Sequence, residues 1–133
     1  PHTTSDLLFK GALLDRSRSV WQGMIYVAPG AQITDGYQAN RNLLLSENAR
    51  ADSIPGLEIL ADDVRCSHGA TVGQLEAEPI FYLMSRGLPR DIAERLVIDG
   101  FFAPIMERIP FERVRQRFRE MIDEKLNGDS LLA

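Results

Sequence analysis

The sequence predicts a mixed β and α chain, with the final coils of a parallel β-solenoid over residues 1–72 and a small all-helical C-terminal domain over residues 73–133. Three observations carry that prediction. A weak repeat recurs in the first half at offsets of 18 and then 15 residues. Apolar runs there are short and end in turn-forming pairs, which disfavours helices. Beyond Val72-Gly73 the apolar residues recur at helical spacing, with proline and glycine near the segment ends.

The repeat aligns Ile25 to Thr34 with Leu43 to Asp52 and with Glu58 to Ser67. Each unit passes through an apolar pair or triplet, a small residue (Ala28, Ser46, Ala61), two turn formers, a small apolar residue (Ala31, Ala49, Val64) and a long polar one (Gln32, Arg50, Arg65). Such recurrence predicts stacked coils, each too small to bury its apolar side until a neighbour covers it. An antiparallel β-sandwich is the alternative for short strands of this kind. Ahead of the repeat, Leu7-Leu8-Phe9, Ala12-Leu13-Leu14 and Val20 to Val27 read as two or three short strands, broken at Asp15 to Ser19.

About three helices are expected in the second half, near 77–86, 89–108 and 110–127. Glu76 and Glu78 suit the first helix's N-terminal dipole, and Arg86-Gly87 suits its end. Ile92, Ala93, Leu96, Val97 and Phe101 form one stripe of the second, which Gly100 and Pro104 should weaken or kink. Phe111, Val114, Phe118, Met121, Ile122 and Leu126 line one side of the third, and Asp129 to Ala133 reads as a loose tail.

At 133 residues and 44% hydrophobic content the chain can bury one core, as one domain or two small subdomains. A net charge of −4 argues against a general nucleic-acid binder. No apolar run approaches the roughly 20 residues that span a bilayer, and no leader pattern precedes the first strand, so no membrane association and a cytoplasmic location are expected. The single cysteine fits a reducing compartment. A start at Pro1 suggests a piece of a longer protein.

The stretch from Leu57 to Gly73 concentrates the reactive residues: the only cysteine, one of two histidines and the pair Asp62-Asp63. On a strand running from Val64 to His68, Cys66 and His68 point to one face, roughly 6.5–7 Å apart. A thiolate and an imidazole placed so suit a soft metal or an activated thiol. A buried thiol beside a hydrogen-bonded imidazole is the plainer alternative. Asp62-Asp63 would diverge on a strand and fits a turn better. A closed metal site needs three or four ligands, so Cys66 and His68 point to a metal site completed by a second chain. Gly69 and Gly73 would let another backbone approach, which favours an interface over a pocket. The arginines Arg108, Arg113, Arg115, Arg117 and Arg119 read either as a solvated helix face or as a surface for an acidic partner.

Several motifs in order resemble the SufB/SufD family of iron–sulfur cluster assembly proteins, particularly its SufD-like members. They are Gly30 to Asp35, Gln38-Ala39-Asn40-Arg41-Asn42-Leu43-Leu44-Leu45-Ser46, Leu57-Glu58-Ile59, Ala61 to Gly73, Phe81-Tyr82-Leu83 and Ser85-Arg86-Gly87. The resemblance implies a right-handed parallel β-helix followed by a helical C-terminal domain, of which this chain is the C-terminal portion. It also implies pairing with a SufB-like paralogue through the ends of the β-helices, docking of a SufC-like ATPase on the helical domain, and nascent clusters formed on the paired scaffold. ATP would then bind only the ATPase. The family's interfacial histidine corresponds to His68, with iron or a nascent Fe–S cluster held transiently at the interface. SufB-like chains carry a Glu-His-Glu-Ala-Thr run where this chain has Cys66-Ser67-His68-Gly69-Ala70-Thr71, which puts cluster binding by this chain alone in doubt.

The expectation is therefore a non-catalytic scaffold subunit. A β-helix enzyme, an acyltransferase or a polysaccharide-active protein using Cys66 and His68 as nucleophile and base, is the rival. A structural homodimer, formed by strand pairing at an exposed coil end, is the third reading.

Overall fold

Alternating and β-branched stretches up to Gln74 form five strands: β1 (Thr4–Leu13), β2 (Arg18–Val27), β3 (Thr34–Leu44), β4 (Arg50–Ile59) and β5 (Val64–Gln74). The structure, a computed structural model, describes residues 1–128. The loose tail expected from Asp129 onward lies outside the described residues. Odd-numbered strands make one parallel sheet in the order β1-β3-β5, and β2 and β4 make a second. Thr4 lies opposite Asp35, Arg18 opposite Arg50 and Thr34 opposite Val64, so paired strands are offset by 31, 32 and 30 residues. Parallel pairing throughout excludes the antiparallel sandwich.

The expected right-handed parallel β-helix is corrected by this topology. The strands resolve into two separate small parallel sheets, of three and two strands, and with three helices the chain is of mixed β and α class. The repeat misled because it reports recurring bends, and bends recur equally between strands that belong to different sheets. Its first and third units begin on β2 and β4, which do pair, but its middle unit begins on β3 in the other sheet. It was also one residue out, since Ile25 pairs with Leu57 rather than with Glu58. A slip of one residue reverses every side chain between the two faces.

What the repeat does mark is the bends. The Ala31 N–H donates to the Ala28 carbonyl and the Ala49 N–H to the Ser46 carbonyl, each at 3.1 Å. The bend before β5 is tied to the bend before β3, where the Asp63 N–H donates to Gln32 Oε1 at 2.8 Å and the Ile33 N–H to the Asp63 carbonyl.

The period-two alternation of β3 buries Thr34, Gly36, Gln38, Asn40 and Asn42 on the face toward the second sheet, while Asp35 and Arg41 are exposed on the other. Leu13, Val27 and Ala49 are buried, and the rings of Phe9 and Trp21 join β1 to β2 with centroids 5.6 Å apart. Pro55 is accommodated on β4 because that strand has a ladder partner on one side only.

Three helices follow: α1 (Ala77–Ser85), α2 (Arg90–Arg108) and α3 (Glu112–Gly128). Gly87, at φ +92°, closes α1 with its N–H donating to the Met84 carbonyl at 2.9 Å. α2 continues through both Gly100 and Pro104, although the proline leaves the Gly100 carbonyl without its intrahelical donor. The chain divides into two compact units, Pro1–Val97 and Ile98–Ala133. In the second, the Phe101 and Phe102 rings meet edge to face at 5.1 Å.

On α3, Arg115 pairs with Glu112, Arg117 with Glu120 and Glu124 at 3.3 and 3.5 Å, and Arg119 with Glu112 at 3.7 Å. These pairs within one helix fit the solvated-face reading of the arginines. No helix among the described residues is long and apolar enough to cross a membrane.

Candidate functional site

β5 is the edge strand of the three-stranded sheet, paired with β3 alone. Gly36 lies opposite Cys66 and Gln38 opposite His68, and residues opposite one another in a parallel ladder share a face. Both reactive side chains therefore occupy the inner face, the one that looks toward β2 and β4. Their surroundings differ. Cys66 is half-buried, and its Sγ lies 3.2 Å from the point where a side chain at Gly36 would begin, with Ile25 Cγ2 3.4 Å from that same point. His68, two residues further along, is exposed because no described strand follows β5. The thiol fills space left by a glycine, and the imidazole stands at an open edge.

The remaining sequence candidates separate from this pair. Asp62 and Asp63 occupy the bend before β5. Among the described residues no group of three or more His, Cys, Asp or Glu side chains is gathered closely enough to hold a metal ion. Cys66 and His68 thus supply two donors, of types that suit a soft metal, and a complete coordination sphere needs donors from elsewhere. Gly73 has open space around its Cβ position, whereas Tyr37 Oη stands 3.5 Å from the Cβ position of Gly69.

Sequence reasoning missed the polar interior behind the site. The Gln38 Nε2 donates to the Gly56 carbonyl of β4 at 3.0 Å. Asn40 Oδ1 accepts from Asn42 Nδ2 at 2.6 Å and from Ser53 Oγ at 2.5 Å. The bonds to Gly56 and from Ser53 cross from one sheet to the other, while the Asn42–Asn40 bond runs along β3. The signal was present as polar residues at every second position, Gln38-x-Asn40-x-Asn42, a stripe that a strand must place on one face.

On the outer face of the same sheet, Lys10 of β1 lies opposite Arg41 of β3. Burial, and after it the neighbouring guanidinium, lowers the Lys10 ammonium below its ordinary pKa near 10.5.

A family model described as the SufBD core domain of SUF-system FeS cluster assembly matches residues 1–101. The iron–sulfur cluster assembly protein SufD of Escherichia coli is 44% identical over 121 residues, which are 91% of this chain and 29% of that protein. SufD of Bacillus subtilis is 40% identical over 120 residues, 90% of this chain and 28% of that protein. A SufBD family protein of Synechocystis is 43% identical over 122 residues, 92% of this chain and 27% of that protein. The chain spans less than a third of the length of these curated relatives. With the core-domain match running through all five strands, α1 and into α2, the chain belongs to the SufB/SufD family of the SUF iron–sulfur cluster assembly system.

Proposed function

We propose that this chain is part of a non-catalytic scaffold subunit on which iron–sulfur clusters are assembled. The observation that carries the reading is His68, exposed on the inner face of an edge strand whose outer side has no partner among the described residues. Unpaired backbone groups along β5 are a template for a strand from another chain. A SufB-like paralogue adding a strand there would bring its own side chains beside the imidazole and supply the donors this chain lacks. Iron or a nascent cluster is the cargo of that interface. Its soft and borderline chemistry fits an imidazole with a neighbouring thiol. Cys66, packed over Gly36, is the less accessible of the two and contributes second.

The helices have the surface expected of a docking element for a SufC-like ATPase. Phe111, immediately before α3, is 67% exposed and Phe118 47%, and with Val114 and Met121 they make an apolar row at spacings of three and four. The similarity to proteins named as SUF assembly factors supports the wider reading of a part in cluster assembly.

The deciding experiment is co-purification of the full-length protein with a SufB-like chain and its ATPase, with and without His68→Ala. The complex should be recovered at wild-type stoichiometry while cluster formation is lost. An unchanged cluster yield would defeat the assignment.

A further inference from the structure

We propose that Gln38 is the positioning residue of the His68 site: its buried amide, locked between the two sheets, is the wall that sets the imidazole toward the open edge of β5. This deepens the reading of His68 given above and rests on it for its functional consequence.

Gln38 is 1% exposed, and among the described residues it and Ile98 are the largest fully buried side chains. Burying a primary amide without partners is costly, so its orientation is dictated by the bonds it finds. It donates from Nε2 to the Gly56 carbonyl of β4 at 3.0 Å. Its Oε1 lies 2.6 Å from the point where a Cβ on Gly23 would stand, a space also taken by the Trp21 ring at 2.4 Å. The side chain thus reaches from β3 to both strands of the other sheet, and the missing side chain at Gly23 leaves room for it.

Gln38 is also the ladder partner of His68. Adjacent strands lie about 4.8 Å apart, so the two side chains emerge side by side from the same face. A residue in mid-sheet has two such neighbours. His68 has one among the described residues, because β5 is at the edge. The side of the imidazole away from the open edge therefore faces a buried side chain that is hydrogen-bonded to the other sheet. Ligands of transient metal sites need support of this kind, since a first-layer group left free to choose among rotamers binds loosely. An apolar side chain would fill the same volume, but only an amide of this length is pinned across both sheets.

The test uses the full-length protein co-expressed with its paralogue and ATPase. Gln38→Met keeps the length and loses the donor; Gln38→Asn keeps the amide and is one methylene too short to reach Gly56. Ser53→Ala, which breaks an inter-sheet bond elsewhere, is the control for general loosening. The readouts are the rate of diethyl pyrocarbonate modification at His68 in the full-length protein purified without its partners, followed by mass spectrometry, and the cluster yield of the co-expressed complex. Both Gln38 variants should raise the modification rate and lower the yield on the order of tenfold, the scale on which supporting partners of metal ligands act, with Ser53→Ala doing neither. Wild-type values of both readouts in soluble Gln38 variants would overturn the proposal. If neither variant folds, selectively labelled wild-type protein decides: a nuclear Overhauser contact between the Gln38 side chain and the His68 ring upholds it, and absence of that contact refutes it. Should His68→Ala retain full cluster yield, the functional reading falls, while the modification rate and the ring contact still judge whether Gln38 sets the imidazole.

Discussion

The thiol of Cys66 occupies the space that Gly36 leaves empty, with Sγ 3.2 Å from the Cβ position of that glycine on the neighbouring strand. Contact this tight means that even a methyl group at 36 must push the thiol or Ile25 aside, because Ile25 Cγ2 stands 3.4 Å away on the other side. Gly36→Ala is therefore expected to destabilise the fold by about 1–3 kcal/mol, the usual range for overpacking, as read by chemical denaturation. Adding Cys66→Ala should restore much of that loss. Strict additivity of the two substitutions would show that they do not share the space.

Asn40 is the hub of the inner polar network, since its Oδ1 accepts both from Asn42 Nδ2 and from Ser53 Oγ. Asn40→Ala would leave Asn42 Nδ2 with only a long 3.5 Å contact to Ser53 Oγ, in a setting where Asn42 is itself buried. An unsatisfied buried donor costs about 1–3 kcal/mol, so a loss of that size is expected in urea denaturation. In the Asn40→Ala background, Ser53→Ala should then cost less than it does in the wild type. Equal costs in both backgrounds would mean that the three groups do not act together.

The Lys10–Arg41 pair yields a pH prediction with a definite sign. Because the Lys10 pKa is lowered in the folded chain, the unfolded chain holds more protons between that lowered value and about 10.5, so stability attributable to this group rises with pH across that window. Burial is the larger cause and Arg41 the second, so Arg41→Gln should raise the Lys10 pKa part of the way back, followed by 13C NMR at its ε carbon. A value that stays put or falls would remove Arg41 from the account.

Much of the local structure could be read from the residues, and most of the non-local structure could not. Small residues at Ala28 and Ala31, and at Ser46 and Ala49, announced bends that the structure closes with identical backbone bonds. The spacing of Cys66 and His68 announced a shared face. Strand ends were less legible: β1 runs unbroken past Lys10 where two short runs were read, and β5 continues to Gln74 beyond Val72-Gly73. In both places ladder bonds to β3 extend the strand, and a partner 30 or 31 residues away leaves no trace in local composition. The same non-locality hid the division into two sheets. It also hid Gln38, whose part in the site depends on Gly23 and Gly56, neither of which carries a signal of its own.

Ile33 provides the last prediction. It is a β-branched residue at φ +59°, in the left-handed region where its Cβ crowds the following carbonyl at a cost of about 1–2 kcal/mol. Neighbouring structure enforces that conformation, because the Ile33 N–H is held by the Asp63 carbonyl and the preceding Gln32 side chain binds the Asp63 N–H. The isoleucine side chain is 52% exposed, so little burial is lost by replacing it. Ile33→Asn, which tolerates this backbone and keeps the N–H, should stabilise the protein by about 1 kcal/mol in thermal or chemical unfolding. Ile33→Val, branched in the same way, should bring no such gain, and a stabilisation of equal size by both variants would locate the effect in the side chain's exposure rather than in its backbone.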